Sequence, residues 1–252
     1  MKLKFALILL LSTGLSYAKA QLIPADHEKV KGGQVAIQPI THATLVLSYQ
    51  KLNIYIDPTG GAEAFKGLAP ADIILITDIH GDHFDPKTLE AVISAKATLV
   101  VPQAVADKLP ASINKQKVAI LNNGEAKKIE GISIAAVPMY NLPGAANAAM
   151  HTKGRGNGYI LTIGGKTFYI SGDTADTPDM RALKNIDFAF VCMNLPYTMD
   201  VNAAASGVLA FKPKVVYPYH YRGQDTNNFK TIVNTGDKNI EVRLRNWYPA
   251  AK

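Results

Sequence analysis

The chain has 252 residues, 48% of them apolar, with 19 glycines, 14 prolines and a formal charge of +7. That length and apolar content suffice to bury one large core, or two halves that share one. No block of consecutive Lys or Arg is present, which speaks for solubility and weak attraction of anionic small molecules and against a nucleic-acid footprint.

Residues 1–20 read as a signal peptide. Lys2 and Lys4 precede the apolar run Phe5–Leu11, and Ala18-Lys19-Ala20 is a small-x-small cleavage site before Gln21. The run is shorter than the roughly 20 residues a membrane span needs, and nothing later is long enough to cross a bilayer. Cleavage removes Lys2, Lys4 and Lys19 and takes the charge from +7 to +4. The expected location is periplasmic or secreted, with residues 21–252 as one domain. The single cysteine, Cys192, lies in an apolar run; it cannot form an internal disulfide, and it reads as a small core residue.

Gln21–Gly33 is polar and without periodicity, a loose lead-in. Gln34–Ile40, Thr44–Tyr49 and Leu52–Ile56 read as strands, the last two joined by a turn at Gln50-Lys51. The unbroken apolar run of Asp72–Thr77 predicts a strand buried on both faces. Asp85 and Pro86 then open a helix as N-cap and first residue. Thr98–Val101 is a strand and Gln103–Leu109 a short helix. Val118–Leu121, Ala126–Ile129 and Ile132–Val137 read as a β-meander. Met139–Asn157 is an irregular loop too long for a mere connector. Gly158–Ile163 and Thr167–Ser171 form a hairpin through Gly164-Gly165. Helices over Pro178–Lys184, Val201–Phe211 and Asn227–Val233 alternate with strands over Phe188–Met193, Val215–Tyr219 and Ile240–Arg245. Strands dominate both halves and each half carries helices, which predicts a four-layered αββα sandwich.

Between the Asp72–Thr77 strand and the Asp85 helix lies Asp78-Ile79-His80-Gly81-Asp82-His83. Spacing by two sends Asp78, His80 and Asp82 to one side of an extended turn, while Gly81 lets the backbone bend and His83 swing to a second ion. Four metal-competent side chains in six residues can also be read as a polar capping loop. Buried charges need partners, however, and a divalent cation is the simplest one.

This loop resembles the His-x-His-x-Asp-His motif of the metallo-β-lactamase superfamily, with Asp78 in the first histidine position. The resemblance continues through Ile40-Thr41-His42-Ala43-Thr44, Tyr55-Ile56-Asp57-Pro58, Gly172-Asp173-Thr174 and Pro218-Tyr219-His220. It is nearest to hydrolases like ascorbate-6-phosphate lactonase and N-acylphosphatidylethanolamine phospholipase. It implies the αββα fold and two divalent ions, zinc first, with manganese or iron as alternatives. Asp78, His80 and His151 would hold the first ion; Asp82, His83 and His220 would hold the second; Asp173 would bridge them. Of six histidines, four then fall on motif positions, leaving His27 and His42. His42 reads either as a group behind the ligands or as a core histidine.

Two cations sharing a water bring its pKa towards neutrality, and the resulting hydroxide attacks a carbonyl or phosphorus. Asp82 is expected to hydrogen-bond that nucleophile. The expected enzyme hydrolyses an ester, lactone or phosphodiester of a small, anionic molecule. β-Lactamase activity is the rival reaction, and a non-catalytic metal-binding protein the rival class. A bridging aspartate in a Gly-Asp-Thr turn favours the general hydrolases over the true β-lactamases. Export, the low charge and the lack of an added clamp domain disfavour nucleic-acid processing. Lys153, Arg155, Tyr197, Tyr219 and Tyr221 are read as either anion-binding or packing residues.

Overall fold

The computed structural model describes residues 22–114 and 117–249; the leader expected over residues 1–20 lies outside them. Val35, Ile37, Leu45, Leu47, Ile54 and Ile56 alternate along three consecutive strands, and all are fully buried. A period of two places them on one face of a sheet. The strands are β1 (Asp26–Val30), β2 (Gly33–Thr41), β3 (Thr44–Tyr49) and β4 (Leu52–Ile56), paired antiparallel. Then β5 (Ile73–Leu75), β6 (Thr98–Val101) and β7 (Val118–Ile120) extend the sheet in parallel.

The second half repeats this plan. β8 (Ala126–Ile129), β9 (Ile132–Met139), β10 (Gly156–Ile163) and β11 (Lys166–Ile170) are antiparallel. β12 (Phe188–Cys192), β13 (Val215–Tyr219) and β14 (Glu241–Val242) follow in parallel. Each sheet has seven strands in chain order.

One core joins the inner faces, with Ile54, Ile73 and Val100 of the first sheet and Ile134, Leu161 and Tyr159 of the second in the same cluster. Each such aliphatic side chain contributes about 1.5–3 kcal/mol on burial, against about 0–1 kcal/mol for a surface ion pair. The outer residues Val46, Tyr55, Ile74, Leu99 and Val101 pack with Leu89 of α1 (Pro86–Val92) and Val105 of α2 (Gln103–Ala106). Asp85 caps α1 by accepting from Lys87 N at 3.0 Å. The second sheet is covered by α3 (Pro178–Arg181), α4 (Val201–Phe211) and α5 (Thr226–Gly236), through Met180, Val208, Phe211, Phe229 and Val233. The expected αββα sandwich is thus the fold. No helix among the described residues is long and apolar enough to cross a membrane.

Several expectations are corrected. The lead-in Gln21–Gly33 contains β1, whose polar residues find partners far along the chain. Arg245 Nη1 donates to Asp26 at 2.8 Å, Tyr217 Oη to Asp26 at 3.0 Å, and Arg243 Nη1 to Glu28. Val118–Leu121 is not part of the meander, whose strands over Ala126–Ile129 and Ile132–Val137 do pair antiparallel: β7 closes the first sheet, and the chain crosses to the second at Asn122–Glu125, where Gly124 N bonds Ala136 O at 2.8 Å. An Asn-Asn-Gly turn reverses a hairpin and starts a crossover equally well. The last strand shrinks to Glu241–Val242, and the side chains of Arg243 and Arg245 beyond it turn to β1. The helices expected over Gln103–Leu109 and Pro178–Lys184 are also shorter, at four residues each.

Candidate metal centre

The carboxyl ends of the strands converge on one edge, as functional groups of layered α/β proteins do. Asp57 follows β4, the Asp78–His83 loop follows β5, Asp173 follows β11 and His220 follows β13. His42 sits in the β2–β3 turn, and His151 in the long loop before β10. Eight non-glycine residues among those described have left-handed φ, and four of them are His42, Asp57, His220 and Arg222. Such backbone costs on the order of 1–3 kcal/mol per residue and gathers at functional sites. Here it falls on residues in or directly around the acid–histidine clusters.

The loop is not the extended turn expected from spacing by two. His83 N and Phe84 N both bond His80 O, at 3.0 and 2.8 Å, so the backbone coils after His80. That coil separates Asp82 from Asp78 and His80. The structure brings together Asp78, His80 and His151 as one cluster, His83, Asp173 and His220 as another, and His42, Asp82 and His220 as a third that shares His220 with the second. Asp82 stands beside the second cluster, with Oδ2 at 3.6 Å from His220 Nε2 and 3.5 Å from His42 Nε2. His42 therefore faces Asp82 at the edge of the site and is not a core histidine.

Asp173 lies between the two clusters. Its Oδ2 is 3.2 Å from His151 Nε2 and 3.4 Å from His83 Nε2, and its Oδ1 is 3.1 Å from His220 Nε2. The donors suit a divalent cation. Ligands about 2.1 Å from one tetrahedral ion lie about 3.4 Å apart, the spacing seen here. His83 Nε2, His151 Nε2 and Asp173 Oδ1 are buried without a hydrogen-bond partner, so these groups lack what a cation would supply.

The charges are strongly coupled. Burial disfavours a charged Asp173, but His220 and His83 outweigh it and hold the carboxyl well below the usual range. Burial likewise opposes charge on His83, yet the carboxylates of Asp173 and Asp57 raise its pKa well above that of ordinary imidazole. Burial opposes charge on Asp82 too, but His42, His83 and His220 lower its pKa. Burial wins at His220 and lowers its pKa against the pull of Asp173.

Several groups behind the ligands went unassigned in the sequence. Fully buried Asp57 accepts from Thr77 N at 2.7 Å and Thr77 Oγ1 at 2.6 Å, and its Oδ2 is 2.8 Å from His83 Nδ1. This bond turns the other imidazole nitrogen towards Asp173. Asn141 Nδ2 lies 3.2 Å from His151 Nδ1 and also bonds Tyr197 O at 2.8 Å. Asp57-Pro58 was legible as a segment of resemblance, whereas nothing local marks Asn141.

A cavity of about 320 Å³ opens onto His80, Asp82, His151 and Asp173 and is also lined by Met150, Tyr197 and Arg222. Arg222 lies with its guanidinium 5.5 Å from the Tyr197 ring centre and its Nη2 2.8 Å from His42 Nε2. The other candidate groups serve the structure. Lys153 pairs with Asp179 at 2.8 Å, and Arg155 pairs with Asp78. Tyr219 Oη accepts from Gly172 N at 3.1 Å, and Tyr221 packs on Tyr248. Cys192 is buried, which pushes its thiol up to about 12, as a core residue requires.

A layered fold with acid–histidine clusters at the carboxyl ends of its strands fits a metal-dependent hydrolase. The comparisons with known proteins agree. Residues 36–220 match the family model described as a beta-lactamase superfamily domain. A UPF0173 metal-dependent hydrolase of Pyrococcus abyssi is 30% identical over 84% of this chain and 96% of its own. One from Thermus thermophilus is 30% identical over 81% of this chain and 88% of its own. A crystal structure from Parabacteroides distasonis, described as a metal-dependent hydrolase, is 39% identical, with a TM-score of 0.79 over 88% of this chain and 97% of that one. A metallo hydrolase from Ignicoccus hospitalis, 22% identical with a TM-score of 0.68, shares the fold. The chain belongs to the metallo-β-lactamase superfamily and, within it, to the UPF0173 metal-dependent hydrolases.

Proposed function

We propose that the chain is an exported dinuclear hydrolase, with zinc in both sites, that cleaves an ester, lactone or phosphodiester in a small anionic molecule. The observation that carries this reading is the position of Asp173 between His151 on one side and His83 and His220 on the other. Asp78, His80 and His151 would hold one ion, and Asp82, His83 and His220 the other. When bound, such ions acidify water and stabilise negative charge developing on a carbonyl or phosphoryl oxygen.

The chain's own groups do the rest. Asp82, about one-third exposed beside the cavity, would accept a hydrogen bond from the attacking water. Arg222, about half exposed at the same cavity, would take an anionic group of the substrate. Its nearest partner is the imidazole of His42, and Asp82 stays 3.7 Å away, so its charge is incompletely used. An open cavity beside the ligands favours catalysis over a closed storage site. Likeness to the lactonase and phospholipase branch supports the choice of bonds.

The test is a screen of chromogenic lactones, esters and phosphodiesters, with and without an anionic group, in zinc and in manganese. His80→Ala and Asp173→Ala are expected to abolish turnover while far-UV circular dichroism stays unchanged. Full activity in either variant refutes the site, and efficient nitrocefin cleavage refutes the substrate class. Export is tested by fractionation and by N-terminal sequencing, with Gln21 expected first.

A further inference from the structure

The residue that departs from the superfamily motif has a partner of its own. Asp78 is fully buried, and Arg155 grips it in a fork, with Nε 3.2 Å from Oδ1 and Nη2 3.1 Å from Oδ2. The same Oδ2 is 2.7 Å from His80 Nδ1 and 3.7 Å from His151 Nε2. The oxygen nearest the first cluster's histidines is therefore already committed to a guanidinium. Arg155 is itself fixed, because Nη2 also donates to the carbonyl of Met150, next to His151. Gly156 permits this approach, since a Cβ there would meet Thr77 O at 2.8 Å and Asp78 Oδ1 at 3.3 Å. At the second site the guanidinium nearest a carboxylate among the described residues, Arg222, is farther off, 3.7 Å from Asp82, and half exposed.

We infer that Arg155 is a built-in counter-cation of Asp78, which makes the Asp78–His80–His151 site the weaker and more exchangeable of the two metal sites. The inference rests on the dinuclear reading above. Arg155 offsets the negative charge that Asp78 adds where the motif has a neutral imidazole. The offset has a cost for the first ion: a fixed positive charge stands beside its carboxylate ligand and repels a dication. At the second ion the handicap is smaller, because Arg222 is 3.7 Å from Asp82 and half exposed, where solvent screens its charge.

A purely bracing role for Arg155 predicts the opposite sign, because loosening the turn that carries His151 would weaken the first site. Calorimetric titration of the metal-stripped full chain with Zn²⁺, and separately with Mn²⁺, separates the two. The wild type should show two binding events at least about tenfold apart. Asp78→Asn should lose the weaker event and keep the tighter. Arg155→Gln should tighten the weaker event at least about tenfold, whereas Arg155→Lys, which keeps the charge without the fork, should leave it where it is. Equal affinities in the wild type, or a weaker event unchanged or weakened in Arg155→Gln, overturn the inference. If circular dichroism shows that Arg155→Gln does not fold, Arg155→Lys decides: an unchanged weaker event supports the counter-cation, and a weakened one overturns it. Two equal events defeat this inference alone, and absence of both events defeats the dinuclear reading as well.

Discussion

Replacing Asp57 with asparagine exchanges one carboxylate oxygen for an amide nitrogen at nearly constant shape. The oxygen bonded to Thr77 N at 2.7 Å can remain. The other position, 2.6 Å from Thr77 Oγ1 and 2.8 Å from His83 Nδ1, becomes a donor. Two rearrangements are available: the amide donates to His83 Nδ1, or Thr77 Oγ1, 3.0 Å from that nitrogen, donates in its place. Each makes Nδ1 an acceptor and moves the neutral imidazole's proton to Nε2, the atom facing Asp173. A protonated Nε2 is no metal ligand. Losing such an orienting partner costs about 10–100-fold in metal affinity, or about 1.4–2.7 kcal/mol. Loss of the charge-assisted bonds destabilises the metal-free fold separately, by about 1.5–3 kcal/mol. Competition with a chromophoric zinc chelator measures the first quantity, and urea unfolding with EDTA the second. A variant whose tighter ion binds within about twofold of wild type would refute the claim that Asp57 sets the His83 tautomer.

Gly156→Ala puts a methyl against the Met139 side chain and 2.8 Å from the Thr77 carbonyl oxygen. It should cost about 1–3 kcal/mol in urea unfolding and weaken the metal site whose Asp78 lies next to it. Asp187 accepts from Thr167 N at 3.0 Å and from the ammonium groups of Lys214 and Lys166 at 2.8 and 3.2 Å. Burial raises its pKa, but these partners outweigh burial and lower it. Its stabilisation is therefore complete above the ordinary carboxylate pKa of about 3.9 and is lost as pH falls through the folded value. Asp187→Asn should cost about 1–2 kcal/mol at pH 7, and the gap to wild type should close in acid; a gap constant down to pH 2 contradicts the assignment. Cys192, buried with its thiol pushed up to about 12, should not react with Ellman's reagent at pH 8 until denaturant is added.

What the sequence disclosed divides along physical lines. Strands β3, β4, β6 and β13, and helix α4, have the limits read from the sequence because apolar runs and capping residues act locally. The Asp78–His83 ligands stand together in the chain and so announce themselves. Asp173 and His220 were readable as polar residues ending apolar strands. Residues whose meaning lies in a distant partner were not readable. Arg155 and Asp78 are 77 positions apart, and Asp57 and His83 are 26 apart. Arg155 carries no local sign that it serves a ligand in place of a substrate. Arg222 likewise gains its meaning only from the cavity it lines. The strand β1 was missed for the same reason, since its charged residues pair with Arg243 and Arg245 at the far end of the chain.

The duplicated topology sets how the fold should answer metal removal. The first half supplies Asp57 and the Asp78–His83 loop, and the second supplies His151, Asp173 and His220. Neither half can assemble either proposed ligand set alone, so ions held there would tie the halves together. They are not the only tie. The inner faces of both sheets form one apolar cluster, the Asp78–Arg155 fork spans the halves, and Tyr159 Oη of β10 donates to Ile76 O beyond β5 at 2.9 Å. A metal-free chain should therefore melt in a single cooperative transition by calorimetry. Its stability should fall by the binding term alone, about 2.7 kcal/mol per site for an ion present at a hundred times its dissociation constant. Two resolved transitions after EDTA would mean that metal, and not the shared core, makes the two halves one cooperative unit.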